Sequence, residues 1–151
     1  MLFRSPTNFV AVQWSLSGEI TVMGTLSAGA SSAAFQINSA EESSGVSFVN
    51  NGKVNATRWT GKTIKNLGAL PGSIFTAALA INDNGYIVGE SVFSYGPPFK
   101  SHAFLWNGSA MKDLGTLSGG VTSMANGINI SAIAVGQSDG HSTAGLWHAV
   151  Q

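Results

Sequence analysis

The sequence predicts an all-β chain built from a repeated unit of four antiparallel strands. Three observations predict it. The first is recurrence. Trp14, Trp59, Trp106 and Trp147 are separated by 45, 47 and 41 residues, and each follows an alanine by three positions (Ala11, Ala56, Ala103, Ala144). Ile-Asn at 37–38, 81–82 and 128–129 and Gly-x-Ser ending at Ser47, Ser91 and Ser138 keep the same order. Self-similarity at a period of roughly 20–50 residues marks a repeat architecture. The second is the stretch His102–Leu117, where two short apolar runs flank Asn107-Gly108, a strong local hairpin signal. The third is punctuation: Gly accounts for 19 of 151 residues, and Gly and Ser interrupt every candidate helical stripe.

The elements follow in chain order. The chain opens inside a unit, with strands c and d of a partial unit (1–32) at about Phe9–Trp14 and Glu19–Thr25. Unit 33–76 comes next. It carries Ser39-Ala-Glu-Glu-Ser-Ser44 where unit 77–123 has Asp83-Asn-Gly-Tyr-Ile-Val88, so its strand b is expected to be shifted, bulged or poorly packed. Unit 77–123 is the most regular. Strand a is Ala78–Asn82, Asp83-Asn84-Gly85 turns the chain, and strand b is Tyr86–Ser91. A variable loop at Phe93–Lys100 contains Pro97-Pro98, which cannot donate to a ladder. Strand c is Ala103–Trp106, and strand d runs from Met111 to Leu114. The partial unit 124–151 supplies Ala125–Asn129, Ile133–Ser138 and Thr143–Trp147 as a, b and c. No linker interrupts the series, so 1–151 reads as a single β-repeat domain.

Composition narrows the function classes. Lys plus Arg and Asp plus Glu are seven each, giving a formal net charge of zero. Nothing in this offers the basic stripe that nucleic acid or an anionic membrane surface requires, so neither is expected as a partner. Charged residues are 9% of the chain, against roughly 25% in ordinary domains, which favours self-association. There is no cysteine, and hence no disulfide, thiolate site or cysteine nucleophile. No window approaches the ~18 apolar residues of a membrane helix, and the first residues lack a signal-peptide pattern.

Candidate chemistry is sparse. Gly136-Gln-Ser138-Asp-Gly140 matches a nucleophile pattern, but that pattern needs a strand-to-helix elbow and no helix is predicted. His102, His141 and His148 have no ligand spacing, so no metal is expected. Glu41-Glu42 lies on opposite strand faces and reads as a solvated turn. Ser118-Gly-Gly120 and Ser27-Ala-Gly29 lack the Lys-Ser/Thr of a phosphate loop. The recurring tryptophans read as inter-sheet core, with Trp59 and Trp106 buried and His102 at most partly so. Alternation along Ala103-Phe-Leu-Trp106 puts Ala103 and Leu105 on one face and Phe104 and Trp106 on the other. No catalytic residue and no cofactor is assigned. The one binding-site candidate is Asn38, Asn82 and Asn129, which cap turns and would ring one end of a central channel if strand a lined it.

Ser101-His-Ala-Phe-Leu-Trp106, Asp113-Leu-Gly-Thr-Leu117, Ser123 and Ile81-Asn-Asp-Asn-Gly85 together resemble the bacterial HAF repeat, named for its His-Ala-Phe. The likeness spans nearly the whole chain. The outer copies depart from it, reading Val10-Ala-Val12, Asn55-Ala-Thr57 and Thr143-Ala-Gly145. The resemblance implies an extracellular repeat protein without an assigned chemistry, and its unit is similar in plan to a β-propeller blade. About three blade equivalents per chain are too few for the usual ring of four to eight. A six-bladed ring formed by a homodimer is therefore expected, with a three-sheet β-prism-like monomer as the alternative. The expected function is a non-enzymatic scaffold or binding module that presents loops to a protein or glycan. The alternative is a hydrolase or lyase with its site in the channel of a ring.

Overall fold

The computed structural model describes residues 8–140 and 148–150. Among the described residues there are thirteen strands and no helix, as the recurrent turns require. They are β1 (Ala11–Trp14), β2 (Ile20–Gly24), β3 (Ser32–Ile37), β4 (Glu42–Phe48), β5 (Val54–Thr60), β6 (Thr63–Gly68) and β7 (Phe75–Ile81). Then follow β8 (Ile87–Ser94), β9 (Lys100–Trp106), β10 (Met111–Gly115), β11 (Ser123–Ile128), β12 (Ala134–Ser138) and β13 (His148–Val150).

Two runs are complete four-stranded antiparallel meanders: β3 to β6, and β7 to β10. One parallel pair, Val54 with Phe75, joins them. The isolated parallel bridge Ser101–Thr122 repeats that join one unit later, towards β11, β12 and β13. Among the described residues β1 and β2 pair only with each other.

The repeat is exact at the level of register. Strand a bulges after Ala34, Ala78 and Ala125, opposite Gly45, Gly89 and Gly136 of strand b. The bulge explains the glycines. A Cβ at those positions would stand 2.0, 1.8 and 1.9 Å from the carbonyl oxygens of Ala33, Ala77 and Met124. A side chain cannot share that space, so Gly-x-Ser is a packing signature of the a–b pair.

Both faces of β9 are buried, as its alternation predicts. Phe104 and Trp106 join Ala56, Leu67, Leu70, Ala78, Ile81 and Ile87. Ala103 and Leu105 turn the other way, towards Ala80, Val88 and Ala125. Each meander is thus covered by the one before it and the one after it.

Two expectations are corrected. Strand b of unit 33–76 is not shifted, bulged or poorly packed: β4 pairs with β3 in the register that β8 keeps with β7, the bulge of the pair lies in β3, and five of the seven β4 residues are buried. Ser43 and Ser44 simply stand where Ile87 and Val88 stand, because backbone pairing and the bulge set the register more strongly than two side chains do. Trp14 is not core: it is 66% exposed, whereas Trp59 and Trp106 are 0% and 2%. The buried two are covered by the preceding meander, and no described strand covers β1 in that way. The proposed strand Thr143–Trp147 lies outside the described residues. Among the described residues β13 carries the strand-c register: His148, Ala149 and Val150 pair with Ser138, Gln137 and Gly136, as His102, Ala103 and Phe104 pair with Ser91, Glu90 and Gly89. Asn107-Gly108 opens the β9–β10 hairpin, as its sequence signal predicts. Trp106 pairs with Met111, and Asn107 Oδ1 organises a four-residue loop by accepting the Ser109 and Ala110 N–H groups.

Candidate functional site

The three asparagines end strand a in each unit, and one turn geometry serves all of them. The backbone N–H of Glu41, Gly85 and Ala132 donates to the carbonyls of Asn38, Asn82 and Asn129 at 3.1, 2.9 and 3.1 Å. Those same three donors have positive φ of 59°, 76° and 61°. Only at Gly85 is that conformation free of a Cβ clash with the backbone. Asn84 does not share it, so the left-handed residue is the last of the turn.

Each carboxamide oxygen caps its own turn: Asn38 accepts Ala40 and Glu42 N–H, Asn82 accepts Asn84 and Tyr86, and Asn129 accepts Ile133. In Asn38 and Asn82 the nitrogen also reaches the next turn. Asn38 Nδ2 donates to the Asn82 carbonyl at 2.9 Å, and Asn82 Nδ2 donates to the Asn129 carbonyl at 2.8 Å. The structure therefore does bring Asn38, Asn82 and Asn129 together, as a ladder across three turns. Asp83 adds a rung by accepting the Ser39 N–H at 2.8 Å, and Asn84 adds another to the Ile130 carbonyl at 3.0 Å. The Ser39 backbone N–H, and then its hydroxyl, hold the Asp83 carboxyl below the ordinary aspartate range.

A recess of about 250 Å³ lies among these turns, lined by Gln36, Asn38, Ile81, Asn82, Asp83 and Ile128. Its wall is polar, but the carboxamides of Asn38 and Asn82 are already bonded within the protein. What the arrangement does chemically is fix turn to turn.

The other candidates resolve in the same direction. Ser138 is buried, and its Oγ accepts the Leu117 N–H at 2.9 Å while donating to the Thr122 and Asp139 carbonyls. Ser47 holds the Leu26 N–H at 2.9 Å in the corresponding way. Ser32 Oγ bridges Ala11 N–H and the Gly24 carbonyl, and Ser123 Oγ bridges Ala103 N–H and the Gly115 carbonyl. These are staples between successive meanders. Among the described residues no three His, Asp or Glu side chains converge; His141 lies outside them.

Sequence reasoning missed one pair. His102 Nδ1 lies 2.8 Å from Asp113 Oδ2, with Phe93 edge-on to the imidazole at 5.1 Å. Ser91 is the cross-strand partner of His102, yet its Oγ is buried against Thr76 Oγ1 at 3.0 Å, so no Ser-His-Asp line forms. The signal was the hairpin register: Asp113 opposes Phe104, which places it diagonal to His102 on the same face. No family model, curated protein or solved structure matches the chain.

Proposed function

We propose that the chain is a non-enzymatic β-repeat scaffold, its units arranged as propeller-like blades of the HAF-repeat kind, that presents a loop to a glycan or protein ligand. The observation that carries this reading is the β8–β9 loop. Tyr95 and Phe99 are 64% and 42% exposed there, on either side of Gly96-Pro97-Pro98. Lys100 sits beside them, its Nζ 5.5 Å from the Phe93 ring centroid. Exposed aromatics held on a rigid strand pair suit recognition of sugar faces and apolar side chains. By contrast, the repeated serines and asparagines serve internal staples, which supports a scaffold over a catalytic channel. Asn38–Glu41 is a weaker second loop, since Glu42–Ser44 belongs to β4.

A glycan array and a host-extract pull-down test the reading, each run with the natural chain and with Tyr95→Ala. Retention that falls at least tenfold in the variant is the expected result. Equal retention by both, or none by either at high protein concentration, counts against it.

A further inference from the structure

The two buried tryptophans occupy one kind of slot. Trp59 packs on Ala11 of β1 and Met23 of β2, and its Nε1–H donates to the Gly24 carbonyl at 3.3 Å. That carbonyl also accepts Ser32 Oγ at 2.8 Å. Trp106 packs in the same manner on Ala56, Leu67 and Leu70. A third slot exists one unit on. It is a cavity of about 450 Å³ between β9–β10 and β11–β12, lined by Ala103, Leu105, Leu114, Gly115, Ala125 and Val135. The Gly115 carbonyl accepts Ser123 Oγ there, as the Gly24 carbonyl accepts Ser32 Oγ.

Register says which strand-b residue faces the indole. Trp59 opposes Ser43, and Trp106 opposes Ile87. The third equivalent is Ala134, which lies beyond the three residues that pair with β13. Meanwhile β1, with the same Ala-x-x-Trp spacing as β5 and β9, pairs as a strand with β2 alone among the described residues. Its Trp14 is exposed, as are Ile20 and Val22 on β2.

We propose that this cavity receives Trp14 of a second copy of the chain, delivered by the β1–β2 hairpin laid along β12. Trp14 then opposes Ala134, Gln13 opposes Val135 and Val12 opposes Gly136, the register of the two buried tryptophans. The hairpin replaces the three-residue β13 with a four-residue strand and adds β2 as the fourth strand of that sheet. Each chain donates one hairpin and accepts one, so two chains close as a two-fold pair. The formal net charge of zero opposes this with no long-range repulsion. The inference rests on the repeat-unit reading of the scaffold, but not on the ligand of the β8–β9 loop.

The absence of cysteine makes the test clean. One preparation carries Gln13→Cys and another Val135→Cys, both retaining Trp14. Directly opposed strand residues lie within disulfide reach. Mixing followed by mild oxidation is expected to give a linked species of twice the 15.5 kDa chain mass. Light scattering of the natural chain is expected to give the same doubled mass, and Trp14→Ala to return it to the monomer. Trp14 is exposed, so that substitution removes no core contact. A natural chain at monomer mass, a dimer that survives Trp14→Ala, or no linkage in the mixture overturns the proposal. So does an intrachain disulfide in a Trp147→Cys, Ala134→Cys chain, which would put the chain's own indole in the slot. Loop binding measured with Trp14→Ala stays intact if only this inference fails, which separates it from failure of the scaffold reading.

Discussion

Ser123 shows how a small polar residue can hold two sheets in step. Its hydroxyl accepts from Ala103 N–H and donates to the Gly115 carbonyl, two groups that the bulge between β9 and β10 withdraws from the ladder. Ser123→Ala leaves both without that partner in a buried site. The expected loss is about 2 kcal/mol, from unsatisfied buried groups at roughly 1–3 kcal/mol each, read from denaturant midpoints. Asp83 offers a pH signature instead. Its folded pKa is depressed by the Ser39 N–H and hydroxyl, so its contribution is present above the unfolded aspartate value and disappears as pH falls through the folded one. The stability difference between the natural chain and Asp83→Asn is therefore expected at about pH 6 and to shrink by about pH 2–3. A difference that stays constant across that range would show that the Ser39 contact does not depend on ionisation.

At the scale of the element, the bulged a–b pair is the unit of construction. Its glycine follows from a close approach of backbone to backbone, with no positive φ at Gly45, Gly89 or Gly136. Gly89→Ala is expected to cost about 3 kcal/mol or more, at the upper end of overpacking penalties, because the added methyl meets the Ala77 carbonyl at 1.8 Å. Gly96→Ala is the control: its nearest neighbour is Ser94 Oγ at 3.8 Å, and a change within about 0.5 kcal/mol is expected for such a surface site. Thermal or urea unfolding of the two variants side by side checks both. The strand-end reading of Gly-x-Ser was legible from its recurrence. The bulge leaves only its glycine in strand b; its place, after Ala34, Ala78 and Ala125 of strand a, is a two-against-one count across strands that neither strand shows alone. The same limit applies to β4, where Ser43 and Ser44 obscured a strand that its neighbours on both sides hold in register.

Across the whole molecule, a tryptophan's worth depends on what lies in front of it. Trp106 is wedged between β9 and the preceding meander, with Lys65 Nζ 4.8 Å and Arg58 Cζ 5.3 Å from its ring centroid. Trp106→Ala is expected to cost about 3–5 kcal/mol, as for other buried large-to-small changes. In the monomeric chain Trp14→Ala is expected to cost under about 0.5 kcal/mol, as at other exposed positions. Chemical unfolding at low protein concentration compares the two.

The all-β class, the period, the antiparallel meander, the alternation along β9 and the asparagine turn caps are legible in the order of residues alone. These are local properties: a side-chain period of two, a turn residue and a recurring spacing act over a few neighbours. Packing between sheets sets Trp14 apart from Trp59, gives His148–Val150 the strand-c register, and lets the Asn38 and Asn82 carboxamides bridge successive turns. The carboxamide bridges span 44 and 47 residues, and Trp59 reaches the Gly24 carbonyl across 35. Identical short motifs acquire different burial according to whether a neighbouring sheet covers them, and no local pattern records that.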